Sequence, residues 1–227
     1  RGPEAAKRTE RIPDLLNLHD VYRALLIARR ERGAVDFETT ETQIVCDDNG
    51  RIEKIIPRTR NDAHKLIEEA MLAANVCASA FLEAHRQPCL YRVHEGPTPE
   101  KLEGLRDFLK EFGLGLPGGE DPTAKDYGVL LEKIKPRPDA QLLQTVMLRS
   151  LRQAMYSPDN VGHFGLSYEH YTHFTSPIRR YPDLVLHRQL ADFLDGKGGN
   201  LPKEYLMSTA LMATEREQVA DDASRQL

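Results

Sequence analysis

Residues 171–188 read YTHFTSPIRRYPDLVLHR, and the character of the chain changes in the middle of that stretch. Ser176-Pro177 predicts a helix start, because Ser accepts from orphan N–H groups and Pro suits the first helical position. Arg179 and Arg180 sit just inside that start. Two guanidinium groups beside free backbone N–H groups and the positive end of a helix dipole suit an anion, most simply a phosphate. At helical spacing Arg179, Asp183 and His187 would share one face. Pro182 breaks the pattern, since it would remove the hydrogen bond to the Ile178 carbonyl and kink the helix one turn in. A local rule broken beside a charge cluster suggests a functional site. A surface helix carrying salt-bridging arginines satisfies the same residues, and both readings stand at this point.

Outward from that stretch, the 227-residue chain is long enough for one large domain or two small ones. Its net charge of −4 gives no global polyelectrolyte signal, so a nucleic-acid site would have to be a local patch. The three cysteines, Cys46, Cys77 and Cys89, are odd in number and widely spaced. That argues against a disulfide framework or a Cys-based zinc site and suits a reducing cytoplasm. No apolar run reaches the roughly 20 residues of a membrane span. The chain opens on Arg1-Gly2-Pro3 rather than Met and ends in mid-pattern at Leu227, which reads as a piece of something larger.

Periodicity predicts one mainly helical α+β unit with short strands. Residues 1–13 read as irregular, followed by a helix over 14–32 closed by Gly33. Residues 42–46 and 51–56 are expected to form a hairpin around Asp47-Asp48-Asn49-Gly50. A long helix, capped by Asn61 or Asp62 and running to about 86, carries a run of small residues that marks it as the central core helix. Glu68, Glu69 and Asn75 on that helix would then need partners wherever they are buried, with solvent exposure the simpler reading for either glutamate alone. A strand is expected over 89–93 and a helix starting at Thr98-Pro99-Glu100 and stopped by Gly113. Thr123 and Asp126 resemble a capping box opening a helix to 134. Asp139 is expected to cap a helix over 140–155, with a β-like stretch over 162–168. The helix of the opening motif should end near 194, and a last helix should span about 204–225.

The residues alone hold no complete catalytic apparatus. His163, His170, His173 and His187 match no metal-ligand spacing, and hydrogen-bonded or solvent-facing histidines are the preferred reading. Cys77 and Cys89 fall in apolar surroundings that favour inert thiols. No phosphate-binding glycine loop occurs. The pairs Asp47-Asp48, Glu68-Glu69 and Asp221-Asp222 do not make the dense carboxylate cluster that two-metal chemistry requires.

HFTSPIRRYPDLVLHR nevertheless resembles the signature of the RNB family of 3′-to-5′ exoribonucleases. NDAHKLIEEAMLAANVCA through YRVHE is similar to that family's central helix and following strand. LPGG, RPDAQLLQ, LRSLRQAMY and GHFGL resemble its bacterial ribonuclease R branch. The resemblance covers nearly the whole chain, in long motifs without gaps. It implies a hydrolase that threads single-stranded RNA, 3′ end first, into a channel and releases nucleoside 5′-monophosphates processively with Mg²⁺. It further implies a cytoplasmic protein, monomeric when intact. Arg179 falls on the family's catalytic arginine, which holds the scissile phosphate. Glu68 falls on a residue that grips the 3′-terminal nucleotide near its sugar, where a carboxylate can accept from ribose hydroxyls. Phe37 matches an aromatic that stacks on bases, and Glu217 a channel glutamate, although the usual E-R-R-A becomes Glu217-Gln218-Val219-Ala220. Arg180 is expected either to contact backbone phosphate or to partner Asp183, and Asp183 and His187 to buttress the helix.

One departure matters. The family's metal-binding aspartates lie in an upstream run that nothing in this sequence matches, and the flanking OB folds have no counterpart either. The chain is therefore expected to be the C-terminal portion of an RNB catalytic domain, inactive by itself. A non-catalytic RNA-binding or scaffold relative that has lost the aspartates is the alternative.

Overall fold

The structure, a computed structural model, describes residues 2, 6–37, 41–58 and 60–226. It divides into two compact units, one made of 1–31 with 36–70 and the other of 32–35 with 71–227. The first holds helix α1 (Ile12–Arg32, up to residue 31) and an antiparallel hairpin of β1 (Glu41–Cys46) and β2 (Ile52–Arg58). The hairpin turns where Asn-Gly requires it, with Gly50 at φ 75° and the Asp47 carboxylate accepting from the Asn49 and Arg51 amides at 2.9 and 2.8 Å. Helix α2 (Asp62–Ala84) begins in this unit and continues into the second from Met71. Its start is doubly capped: Asn61 Oδ1 accepts the His64 amide at 3.1 Å, and His64 Nδ1 accepts the Asn61 amide at 3.2 Å.

The second unit is a helical body around a two-stranded antiparallel sheet. Strand β3 (Tyr91–Val93) pairs with β4 (Met155–Ser157), placing Arg92 opposite Tyr156. Helices α3 (Pro99–Glu111), α4 (Ala124–Ile134) and α5 (Ala140–Ser150) start where the sequence says they should. Thr98 caps α3 through the Lys101 amide, and Thr123 with Asp126 forms a full capping box on α4. The last two helices are α6 (Tyr181–Leu194) and α7 (Lys203–Gln226). One core cluster joins Leu90, Tyr156, Val185, Leu206 and Ala210, and another joins Ala78 and Leu82 of α2 to Cys89 and Leu186. The central helix thus buries apolar surface mainly in its C-terminal half.

Several expectations need correction. Helix α5 ends at Ser150, not 155, because Leu151 turns extended and Tyr156 is buried in the β3–β4 pairing. Asp139 stands at the cap position without capping, since Arg137 takes both carboxylate oxygens at 2.8 Å. Residues 162–168 are β-like only in isolated bridges at His163 and Tyr168; Gly162 and Ser167 adopt positive φ, and a 3₁₀ turn (Phe164–Leu166) lies between them. Cys77 is exposed on α2 rather than sheltered, whereas Cys89 is buried.

The helix of the opening motif begins four residues later than its sequence suggests. Residues 177–179 form a turn, Arg180 is extended at the cap position, and α6 starts at Tyr181. Pro182 is the physical reason. A helix running from Pro177 would need an N–H at residue 182 for the Ile178 carbonyl, and proline has none. With the start at Tyr181, Pro182 falls in the first helical turn, where the N–H would be an orphan in any case. No kink is needed.

Candidate nucleic-acid site

The turn that presents Arg179 is hung from side chains of other segments. Three consecutive amides, those of Phe174, Thr175 and Ser176, donate to side-chain oxygens. Asn75 Oδ1 accepts the first two at 2.9 and 3.2 Å, and Asp183 Oδ1 accepts the third at 2.7 Å. Asn75 is 3% exposed, and its Nδ2 donates to the Tyr171 hydroxyl at 3.0 Å. The Phe174 carbonyl receives a hydrogen bond of 2.8 Å from His187 Nε2, and the two rings stack with centroids 4.2 Å apart. From this anchored segment the chain turns on the Ser176 carbonyl, which accepts the Arg179 and Arg180 amides at 3.2 and 3.0 Å.

The two arginines part company here. Arg180 donates through Nη2 to Asp183 Oδ1 at 2.7 Å, with its side chain 19% exposed and that of Asp183 0%. Of the two roles open to Arg180, partner of Asp183 is the one this geometry contains. Arg179 lies outside α6, is exposed, and its guanidinium has no hydrogen bond or ion pair among the described residues. The shared helix face of Arg179, Asp183 and His187 is therefore corrected: Asp183 and His187 lie on α6, while Arg179 precedes it on the turn. Ser176 likewise contributes its backbone rather than a capping hydroxyl.

A partly buried polar chain runs from Glu217 through Arg92 and Tyr156 to His173. Glu217 on α7 holds Arg92 bidentately at 2.6 and 2.9 Å, and the Arg92 guanidinium lies over the Tyr156 ring, 4.6 Å from its centroid. The Tyr156 hydroxyl meets His173 Nδ1 at 2.8 Å. Burial, followed by the cationic Arg180 and Arg92, pushes His173 down to about 2. Burial likewise lowers His163 to about 3, with His94 and Arg92 adding to it. Burial also raises the Tyr156 hydroxyl to about 12. Tyr156 and His173 therefore meet as two neutral groups. His163 Nδ1 accepts the Leu166 amide at 3.3 Å. Among the described residues, no three His, Cys, Asp or Glu side chains gather to hold a metal ion.

Glu68 and Phe37 belong to the first unit, and Arg179, Arg180 and Glu217 to the second. Glu69, not Glu68, is the buried member of its pair, and it is held by Arg29 at 2.6 Å. Glu68 is half-exposed and takes the Arg60 guanidinium on both oxygens, Nε at 3.0 Å from Oε1. Asp36 bridges Arg29 and Arg60 at 3.5 and 3.4 Å, directly before the partly buried Phe37.

Residues 1–196 match the RNB domain family. The chain belongs to the RNB family. It is 53% identical over 179 residues to ribonuclease R of Vibrio cholerae serotype O1, which covers 79% of this chain and 22% of that protein. With ribonuclease R of Escherichia coli K12 it shares 45% over 225 residues, covering 94% of this chain and 28% of the relative. It therefore spans about a quarter of the length of the curated relatives it matches. Among solved structures it superposes on Mycoplasma genitalium RNase R in complex with ribose-methylated single-stranded RNA. The TM-score there is 0.88 at 29% identity, over 95% of this chain and 35% of the other.

Within this RNB chain, sequence reasoning singled out Asn75 only as a buried polar group that needs a partner. Arg92, Tyr156 and Arg60 were not singled out. Their partners lie 125, 17 and 8 residues away, distances that no local motif spans.

Proposed function

We propose that this chain is part of a processive 3′-to-5′ exoribonuclease of the ribonuclease R type. The intact protein would hydrolyse single-stranded RNA to nucleoside 5′-monophosphates, acting as a cytoplasmic monomer. The observation that carries this reading is the exposed Arg179 guanidinium, unpaired among the described residues, on a turn pinned by Asn75 and Asp183. Phosphodiester hydrolysis accumulates charge on the phosphoryl oxygens, and a donor fixed before the reaction stabilises that charge without reorganising. Arg179 is assigned to hold the scissile phosphate. Arg180, paired with Asp183, fixes the turn from which Arg179 projects. Glu68 is assigned to the 3′-terminal ribose hydroxyls, with Arg60 orienting its carboxylate. Phe37 is assigned to base stacking and Glu217 to the channel wall, where Arg92 sets its position.

Mg²⁺, when bound, would activate water and neutralise the leaving oxygen. The described residues offer no carboxylate cluster fit to hold it. Its ligands are assigned to an aspartate run in the preceding part of the catalytic domain, which makes residues 1–227 the C-terminal portion of that domain.

The test is direct. The intact protein, given 5′-labelled single-stranded RNA and Mg²⁺, should shorten it from the 3′ end and release nucleoside 5′-monophosphates. An intact protein that binds the RNA tightly but leaves it uncut would be a non-catalytic relative. Nucleotide release by residues 1–227 alone would overturn the divided-site assignment.

A further inference from the structure

We infer that Asn75 is a positioning residue for the RNA-cleaving step. It would act through Arg179 by setting the backbone from which the Arg179 turn projects; this rests on the assignment of Arg179 above. Asn75 lies on α2, about 100 residues before the motif it holds. It is 3% exposed, and both ends of its amide are used across that distance. One oxygen takes two successive amides, Phe174 and Thr175, while the nitrogen reaches the Tyr171 hydroxyl. This fixes the segment on both sides of His173 as a unit. The Ser176 amide, next in line, goes to Asp183. Residues 174–176 therefore have every backbone donor tied to a side chain rooted in a helix.

Only after those three anchors does the chain become free to turn, and Arg179 follows within three residues. A phosphate-holding guanidinium depends on placement, and a shift of about 1 Å at a reacting group can cost about a hundredfold in rate. Removing the Asn75 oxygen leaves two adjacent, partly buried amides without an acceptor, so the segment must move to find water or another partner. The displacement would pass along the backbone into the Arg179 turn. The hydrogen-bond partners of Asn75 are the Phe174 and Thr175 amides and the Tyr171 hydroxyl, so the loss should fall on turnover rather than binding.

The experiment uses the intact protein and single-stranded RNA, with Asn75→Ala, Asn75→Asp, Arg179→Ala and the Asn75→Ala/Arg179→Ala double variant. Single-turnover rates are read alongside RNA affinity. Asn75→Ala should lower the rate about a hundredfold, with affinity changed less than about threefold. Asn75→Asp keeps one oxygen facing both amides, and the Tyr171 hydroxyl can turn to donate, so most of the rate should return. The double variant should be no slower than Arg179→Ala alone, because two residues acting as one unit are not additive. If Asn75→Ala does not fold, Asn75→Ser takes its place, its shorter hydroxyl being unable to span both amides. A rate loss that multiplies in the Arg179→Ala background, or no rescue by Asp, overturns the positioning role while leaving Arg179 as assigned. A fully active Arg179→Ala overturns both.

Discussion

Asp183 Oδ1 accepts the Ser176 amide and the Arg180 guanidinium, each at 2.7 Å, from a fully buried position in the first turn of α6. Its other oxygen is buried and makes no hydrogen bond among the described residues. Asn can therefore take over the Oδ1 role, losing the charge and placing its NH2 where Oδ2 has no partner. Asp183→Ala strands the Arg180 guanidinium and should cost about 3–5 kcal/mol in chemical denaturation, whereas Asp183→Asn should cost less than half of that. Loss of hydrolysis in an Asp183→Asn protein of unchanged stability would instead place Asp183 in the chemistry.

Arg179 gives the opposite pattern. Its side chain is exposed and unpaired among the described residues, so Arg179→Ala should move stability by no more than about 0.5 kcal/mol. Turnover of single-stranded RNA by the intact protein should fall about 100- to 1,000-fold, the scale of losing one oxyanion donor. Equal losses in affinity and turnover would reduce Arg179 to a positional contact.

The buried histidines set an acid limit on stability. Burial holds His173 at about 2 and His163 at about 3, below the ordinary value of 6.5. Between those values and 6.5 the unfolded chain binds protons that the folded chain refuses. Their contribution is thus complete above about pH 6.5 and is lost as pH falls. Each such histidine adds about 1.4 kcal/mol per pH unit to the slope once the unfolded form is protonated. His173→Gln should flatten the fall in urea-unfolding free energy between pH 5.5 and 4.5 by about that amount. An unchanged slope would mean that His173 protonates in the fold.

Thiol labelling distinguishes the cysteines. Cys46 and Cys77 are exposed, while Cys89 is buried and pushed by that burial to about 12. Iodoacetamide at pH 8 should alkylate Cys46 and Cys77 of the folded chain within minutes and spare Cys89 until denaturant is added, as read by peptide mass spectrometry. Early modification of Cys89 would show that the core between α2 and α6 opens readily.

Arg92 is sheltered by Glu217 and by the Tyr156 ring, with 12% of its own side chain exposed. Glu217→Ala should destabilise the protein by about 1–3 kcal/mol, the cost of leaving a charged donor partly buried and unpaired. Double substitution with Arg92→Met should recover part of that loss, and a purely additive result would mean the pair contributes nothing.

The amino-acid order by itself determined what is local. Asn49-Gly50 set the hairpin, Thr98-Pro99 and Thr123-Asp126 set two helix starts, and the Ser176–Arg188 run carried the family, because caps, turns and motifs act through residues a few positions apart. The same locality misled over residues 151–155, where pairing with β3 outweighed helical continuation, and over Ser176, where the start of the helix was decided six residues later by Pro182. Only the tertiary structure decided which of two adjacent arginines is free. Asp183 could have faced either by spacing, but its burial beside the Ser176 amide reaches Arg180 and leaves Arg179 to solvent. It also brought Asn75 to the Phe174 and Thr175 amides, because a buried donor must find its acceptor wherever the fold places one.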